Sequence, residues 1–237
     1  MVKKRKRLKK GVKIGLLAIL LIIVAILTFD IYKQLNKQEN SVNSKKITVE
    51  TTSEVVIPEA KADNNSDYRG IIKVGTLVDE KVVQSEDNEY YLNYNADNEK
   101  DTQGAIFMDY RNTLDDQNII LYGHYVYYDE NAKFTPLTKL TEQANYEDNK
   151  YITFEMMDET RTYEIAYVYH YEMNNMNMRY YLTNYGDEFD SYIDYISQKA
   201  FYDTGVNISA SDHILTLQTC VRNREDLRLI IVAKQIY

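Results

Sequence analysis

Hydrophobic and polar residues follow three different patterns along the 237-residue chain. Residues 14–29 (IGLLAILLIIVAILTF) form one apolar run without a charged side chain. Residues 30–66 are mostly polar and show no sustained period. From Tyr68 onward, short runs rich in Ile, Val, Tyr and Thr alternate with turn-forming residues. The pattern predicts an apolar N-terminal helix, a polar connection and a β-rich domain.

The apolar run lies directly behind a basic block, since residues 1–13 carry eight Lys or Arg and no acidic residue. A run of this length can cross a hydrocarbon core about 30 Å thick, and basic residues keep their end in the cytoplasm. The alternative, a cleaved signal peptide, lacks a clear cleavage site. We therefore expect a cytoplasmic tail over 1–13, an uncleaved transmembrane anchor over 14–32, a tether over 33–66 that is helical in part, and a domain over 67–237.

Eight strand-like runs lie in this domain, and two stretches, about 135–143 and 187–200, have helical features. In the second stretch Phe189, Ile193 and Ile196 recur at helical spacing. About eight strands with two or three helices in so short a domain favour a closed or nearly closed β-barrel. The predicted fold class is mainly β with peripheral helices: an eight-stranded barrel preceded by a transmembrane helix.

Charge and cysteine content narrow the function. Residues 14–237 hold 20 basic and 36 acidic side chains, and this acidic body argues against a nucleic-acid partner. Nothing in the sequence has the spacing of a metal cluster. Cys220 is the single cysteine, so an intrachain disulfide is impossible. A buried, inert cysteine is the ordinary alternative to a reactive one.

Three segments carry residues suited to acyl transfer. The run Ile119–His124 ends in Gly and His, the run Leu215–Cys220 ends in the lone Cys, and Arg228 is expected to open the strand that follows. A cysteine thiol is mostly protonated at neutral pH, and a nearby His can act as its base and later as an acid toward a leaving amine. Arg keeps its proton and can stabilise an oxyanion.

The same segments resemble the class B sortases of Gram-positive bacteria. The matching stretches are EDNEYYLNYN, GAIFMDYRNTLDDQNIILYGHYV, FTPLTKL, ILTLQTC and RLIIVAK, which occur in the family's order over about residues 67–237. Three departures concern the choice of sorting signal: Gln218 in place of the usual Ser, Asn177 in place of Thr, and a short loop between Cys220 and Arg228.

The resemblance implies a sortase-like barrel and a cell-surface cysteine transpeptidase that needs no cofactor and no metal. Cys220 would be the nucleophile, His124 the acid/base group and Arg228 the residue that stabilises the oxyanion. The expected partners are surface proteins with a C-terminal sorting signal, an amine of the peptidoglycan precursor and the membrane. Candidate substrate-binding residues are Asn88, Leu92, Tyr181, Leu182 and Thr219.

Rival residues and rival functions stay open at this point. His213 is seven residues before Cys220 on one strand, which is too far for a base, and His170 lies in a Tyr-rich strand. Arg222 and Arg224 lie in a charged segment where solvation is the ordinary role. A sortase that polymerises pilins through a Lys acceptor, or a non-catalytic surface adhesin, would also fit parts of the pattern.

Overall fold

The computed structural model describes residues 65–174 and 182–237, and these form one closed barrel of eight strands. The predicted fold class is therefore confirmed for the β-domain. The strands are β1 (Tyr68–Val74), β2 (Val78–Val83), β3 (Ile106–Met108), β4 (Asn118–Tyr122), β5 (Tyr151–Glu155), β6 (Thr160–Glu172), β7 (Ile214–Val221) and β8 (Arg224–Gln235).

The strands pair around the barrel in the order β1-β2-β3-β4-β7-β8-β6-β5, and β5 returns to β1. Two pairings are parallel, β2 with β3 and β4 with β7, and the other six are antiparallel. The parallel pair β4–β7 requires a long connection, which carries β5, β6 and the helix of the domain. This pairing brings residues about a hundred positions apart side by side.

Successive side chains of β7 point alternately into the barrel interior and toward its outer face. Leu215 and Leu217 pack in the barrel interior with Leu229 and Ile231 of β8, and all four are at most 1% exposed. The residues between them face outward, because successive strand side chains point to opposite faces. Ile214 accordingly belongs to a second apolar cluster outside the barrel. Cys220 continues this outward series.

The outer cluster is covered by the single α-helix among the described residues, α1 (Phe189–Ser197). Its buried side chains include Phe189, Ile193 and Ile196, the three predicted from the helical spacing. The helix is shorter than the predicted 187–200, because a 3-10 turn over Gly186–Glu188 precedes it and its C-cap is Gln198. The helix holds β6, β7 and β8 on one side of the barrel.

The other predicted helix forms as two 3-10 segments, Thr135–Thr141 and Gln143–Asn145. Pro136 lies at the start of the first segment, where its missing N–H costs nothing. A third 3-10 turn, Tyr90–Leu92, lies between β2 and β3. This turn was not predicted, and it becomes one wall of the site described below.

One strand boundary predicted from the sequence is wrong. Arg228 was expected to open the last strand, but β8 begins at Arg224. The reason is a two-residue turn at Arg222 and Asn223, in which Asn223 has a φ of 58°. Asn tolerates this left-handed conformation better than most residues, so the chain reverses at once and pairing resumes at Val221 and Arg224.

The predicted basic tail, the anchor and nearly all of the tether lie outside the described residues. Within residues 65–174 and 182–237, no helix has the length and hydrophobicity needed to cross a membrane. Predictions about residues 1–64 therefore stay predictions.

Candidate active site

A cleft of about 350 Å³ lies on the outer face of the barrel where β4, β7 and β8 meet. The three side chains predicted to carry the chemistry, His124, Cys220 and Arg228, all line it, and each is half-buried. The remaining lining residues are Asn88, Leu92, Phe107, Tyr122, Gly123, Gln218 and Thr219. The fold thus brings residues from five separate parts of the chain to one site.

Cys220 and Arg228 are direct partners across the antiparallel pair β7–β8. Side chains in such positions have Cβ atoms about 4.5–5.5 Å apart and lie on one face. The register shifts immediately after Cys220, so that Glu225, Asp226 and Leu227 bulge from β8. Arg228 Nη1 donates to the carbonyl oxygens of Glu225 (2.9 Å) and Leu227 (2.8 Å), so the bulge anchors the guanidinium. Nε and Nη2 form no hydrogen bond with the described residues and remain as donors for a ligand.

His124 follows β4 directly, and its main chain is fixed on both sides. The preceding Gly123 N–H donates to Gln218 O (3.1 Å), which extends the β4–β7 pairing, and Phe134 N–H donates to His124 O (3.2 Å). The imidazole Nε2 lies 2.9 Å from the carbonyl oxygen of Leu92. Because a carbonyl oxygen can only accept, Nε2 carries the proton. Nδ1 is therefore the nitrogen that can exchange a proton with a ligand.

Two glycines allow the chain to pass close to His124. A Cβ at Gly123 would lie 2.6 Å from the ring of Phe134. Gly104 has a φ of +62°, and a Cβ there would lie 2.4 Å from Tyr91 O and 3.1 Å from His124 Cδ2. Because neither glycine has a side chain, the main chain at these two positions can approach Phe134, Tyr91 and the imidazole of His124 closely.

A buried carboxylate, Asp109, lies beneath the Asn88 side of the cleft and is fully shielded from solvent. Arg111 donates hydrogen bonds to both carboxylate oxygens of Asp109, from Nε to Oδ1 at 2.8 Å and from Nη2 to Oδ2 at 2.7 Å. The Tyr122 hydroxyl donates to Oδ2 at 2.7 Å, and Asn88 Nδ2 donates to Oδ2 at 3.1 Å. Two of these donors, Tyr122 and Asn88, also line the cleft.

Burial and hydrogen bonding act in opposite directions on the pKa of Asp109. Burial raises it, but the hydrogen bonds and positive charge of Arg111, together with the Tyr122 hydrogen bond, outweigh burial and hold the pKa below its ordinary value. The hydrogen bond to Asp109 in turn raises the pKa of Arg111. Asp109 is therefore a carboxylate at neutral pH and offers only acceptors to its neighbours.

The substrate-binding candidates are distributed unevenly. Asn88 and Leu92 line the cleft, and Leu92 also provides the carbonyl that holds His124. Thr219 lines it too, but its side chain is 2% exposed and lies on the interior face, opposite Leu229. Leu182 packs with the outer cluster beside α1, and its carbonyl accepts from Asn118 Nδ2. Tyr181 and Asn177 lie outside the described residues.

The rival residues have other contacts. His170 packs edge-on against Phe201, and burial together with the nearby Arg224 lowers its pKa. His213 Nδ1 contacts the carbonyl of Asp116 at 3.1 Å, just before β7 begins. Arg224 forms a two-pronged, exposed ion pair with Asp226 at 2.8 Å. None of these residues is among those that line the cleft in the described part of the chain.

Reasoning from the sequence missed the residues that support the site. Asp109, Phe107 and Tyr122 lie in ordinary strand-like sequence, and neither an Asp nor an aromatic residue is unusual there. The one available signal was the sequence Asp109-Tyr110-Arg111, which places a cation two residues from an acid just after a buried run. Gln218, noted as a departure, has a buried Oε1 that finds no hydrogen-bond partner within the described residues.

A thiol, an imidazole and a fixed guanidinium on a rigid sheet define a cysteine acyltransferase site, and comparison with known proteins agrees. The sortase domain model matches residues 72–236. Sortase B of Listeria monocytogenes is 32% identical over 183 residues, covering 73% of this chain and 71% of that protein. Sortase B of Staphylococcus aureus is 32% identical over 179 residues, with the same coverage.

Solved structures show the same likeness. The X-ray structure of Clostridium perfringens sortase B has 34% identity and a TM-score of 0.66, covering 73% of this chain and 96% of that one. The 2.0 Å crystal structure of S. aureus sortase B has 31% identity and the same TM-score, covering 73% and 82%. The chain therefore belongs to the sortase family of cysteine transpeptidases and is of the class B type.

Proposed function

We propose that this protein cleaves the C-terminal sorting signal of secreted proteins and joins the cleaved proteins to an amine of the cell-wall peptidoglycan. The observation that carries the proposal is the meeting of Cys220, His124 and Arg228 in one cleft. Two similar structures offer support by analogy, since one is a substrate complex of S. aureus sortase B and the other is a sortase B complexed with triglycine.

The first half of the reaction forms a thioester. Cys220 passes its thiol proton to His124 Nδ1 as its Sγ attacks the carbonyl carbon of the scissile peptide bond. Arg228 donates hydrogen bonds to the carbonyl oxygen as it becomes negative. When the carbon–nitrogen bond breaks, His124 supplies a proton from Nδ1 to the leaving amine. The hydrogen bond from Nε2 to Leu92 O keeps the ring in place in its neutral and its protonated forms.

The second half returns the enzyme to its starting state. An amine from the wall precursor attacks the thioester carbonyl carbon and loses its proton to His124. The carbon–sulfur bond breaks, and the Cys220 sulfur leaves as the thiolate or thiol. The balance is one amide bond broken and one formed, with the protons exchanged through His124, so no oxidation state changes.

The N-terminal sequence supports a proposal for where the protein lies in the cell. We propose that residues 14–32 anchor the protein in the cell membrane, with residues 1–13 in the cytoplasm and the catalytic domain outside. Protease added to intact, wall-stripped cells should then digest the domain and leave a small N-terminal fragment with the membrane. A domain protected until the cells are lysed would contradict this orientation.

The chemistry is tested with the full-length protein in detergent. A library of sorting-signal peptides is incubated with the enzyme, and the acyl-enzyme is identified by mass spectrometry after trapping at Cys220. Cys220→Ala should abolish turnover, and His124→Ala should lower it by at least about a hundredfold. Turnover that survives Cys220→Ala at the parental rate would rule the reaction out, and an inert wild-type thiol would favour an adhesin.

Acceptor choice is read in the same assay. Triglycine represents a peptidoglycan cross-bridge amine, and a Lys-containing peptide represents a pilin. Transfer to the glycine amine is the expected result. Transfer to the Lys side chain alone would instead identify a polymerising sortase with the same site and the same first step.

A further inference from the structure

We propose that Asp109 is a positioning residue for substrate binding: it fixes the Asn88 side chain in the one amide orientation that presents an N–H to the cleft. The inference rests on the proposed function, because it concerns how the same cleft binds its peptide. It assigns a role to a buried acid that the reaction itself does not use.

The hydrogen bonds of Asn88 determine its orientation. Asn88 Oδ1 accepts from the main-chain N–H of Tyr110 at 3.0 Å, and Nδ2 donates to Asp109 Oδ2 at 3.1 Å. Rotating the amide by 180° would place Nδ2 against the Tyr110 N–H and Oδ1 against the carboxylate. Both contacts would then be repulsive, since donors would face each other and so would acceptors. The orientation is therefore fixed by chemistry and not only by shape.

The fixed orientation leaves one donor for a ligand. An Asn amide has two N–H groups, and Asp109 takes one of them. Asn88 lines the same cleft as Cys220, and its second N–H has no partner within residues 65–174 and 182–237, so this N–H can donate to a carbonyl oxygen of a bound peptide. A donor held in advance loses less side-chain entropy on binding than one that must be ordered by the ligand.

The Asp109 carboxylate is itself held in place by hydrogen bonds, so it can fix the orientation of the Asn88 amide. Arg111 donates to it through Nε, Nη2 and its main-chain N–H, at 2.7–2.9 Å. The Tyr122 hydroxyl adds a further bond to Oδ2, the same oxygen that accepts from Asn88. The carboxylate is thus fixed by four donors from two other residues, which makes it a rigid reference point for Asn88.

A double-mutant cycle on the full-length enzyme tests the link. Asp109→Asn removes the charge and replaces one acceptor oxygen by an NH₂ group, which faces donors in either amide orientation. The charge-assisted hydrogen bond that holds the Asn88 amide is therefore weakened or lost, and the amide can turn. In the otherwise wild-type enzyme we expect kcat/KM for the peptide to fall about tenfold, mainly through KM. In the Asn88→Ala background the same substitution should change kcat/KM about twofold or less, because the group it positions is gone.

A matched control separates positioning from general damage. Asp116→Asn makes the same chemical change in the same connection, at a carboxylate that accepts from Asn112 and Thr113 and does not line the cleft. It should leave kcat/KM within about twofold. Labelling of Cys220 by iodoacetamide gives the concentration of intact sites, so every rate is expressed per reactive thiol.

The outcomes are distinct. A tenfold loss from Asp109→Asn in both backgrounds, or none in either, would overturn the positioning role while leaving the proposed reaction intact. A wild-type enzyme that cleaves no peptide would argue against the proposed function instead. In that case the same four proteins are compared by chemical unfolding, where absence of coupling between positions 109 and 88 would contradict the hydrogen-bond link. If Asp109→Asn does not fold, the half-exposed Arg111→Gln replaces it in the cycle.

Discussion

Cys220 and Arg228 are paired directly across two antiparallel strands, and the strand that carries Arg228 bulges immediately beside the pair. The bulge carbonyls of Glu225 and Leu227 hold one guanidinium nitrogen, so the arginine is fixed before any substrate arrives. Bulges next to active sites commonly redirect a side chain in this way. The nucleophile and the oxyanion donor therefore share one rigid element, and their separation does not depend on a loop.

This geometry predicts that charge alone cannot replace Arg228. In Arg228→Lys a single ammonium group cannot hold both bulge carbonyls and also point donors at the substrate. We expect kcat/KM for a sorting-signal peptide to fall about a hundredfold or more. The matched control is Arg224→Lys on the same strand, which only alters an exposed pair with Asp226 and should stay within about threefold. Equal losses in the two variants would contradict the assignment.

A second prediction concerns the glycine beneath the imidazole. Gly104→Ala combines a positive φ with a Cβ placed 2.4 Å from Tyr91 O, so the 3-10 turn that carries Leu92 must move. We expect a loss of about 2–4 kcal/mol in unfolding free energy and a lower rate, because His124 loses its support. Chemical unfolding and peptide turnover measure the two effects.

Gly205→Ala is the control for this change. Gly205 has a φ of +77°, but a Cβ there would meet nothing within 4 Å. It should cost about 1 kcal/mol from backbone strain alone and leave turnover unchanged. If both alanine variants behaved alike, close packing around Gly104 would not be what supports the site.

The barrel could be predicted from the sequence for a physical reason, whereas the three residues that share the cleft were selected from their types at strand ends together with the resemblance to class B sortases. Eight strand-like runs bounded by turn residues leave few ways to close a sheet. Cys220 is the single cysteine and His124 is one of three histidines, so rare residue types at strand ends could be recognised. These residue types alone left an inert cysteine and a packed histidine open as alternatives, and the matching motifs decided between them.

The supporting residues could not be predicted because their roles depend on tertiary contacts. Asp109 is one of 36 acidic residues, and only the folded chain shows that it is fully buried beneath Asn88 and Tyr122. The Leu92 group that contacts His124 is a main-chain carbonyl, which every residue type has, so the sequence cannot indicate its role. The start of β8 was misplaced because a turn of two ordinary residues, Arg222 and Asn223, resembles a loop in sequence.

A third prediction is that the 67–237 fragment folds alone, although it is not the best boundary. Asn65 Nδ2 donates to Tyr91 OH and to Ala96 O, both at 2.9 Å, and its carbonyl accepts from Tyr68 N–H at 3.0 Å. At roughly 0.5–1.5 kcal/mol for each of these three net hydrogen bonds, the 65–237 fragment should be about 1.5–4.5 kcal/mol more stable than 67–237.

Thermal and chemical unfolding of the two fragments measure this difference directly. Asn65→Ala within the longer fragment should reproduce most of the loss, which separates the side-chain contacts from chain length. Two fragments of equal stability would show that Asn65 contributes nothing. Absence of a cooperative transition in 65–237 would contradict an autonomous domain.

The last prediction follows from the lowered pKa of Asp109 and concerns stability against acid. In the unfolded chain an aspartate has a pKa near 3.9, whereas in the folded protein Arg111 and Tyr122 hold it lower despite burial. The unfolded state therefore takes up a proton first as the pH falls. The stabilisation is present in full above about pH 5 and is lost as the pH falls through the folded-state pKa.

Asp109→Asn removes this titration. At pH 7 the variant should be about 2–3 kcal/mol less stable than the wild type, because Arg111 loses its charged partner. The difference should shrink as the pH is lowered toward 3, since the wild type loses the contribution that the variant never had. Urea unfolding at intervals of half a pH unit measures both curves. Asp158 is exposed, so the stability of Asp158→Asn should follow the wild-type curve. If the difference in unfolding free energy between the wild type and Asp109→Asn stayed constant down to pH 3, the carboxylate charge of Asp109 would not stabilise the fold.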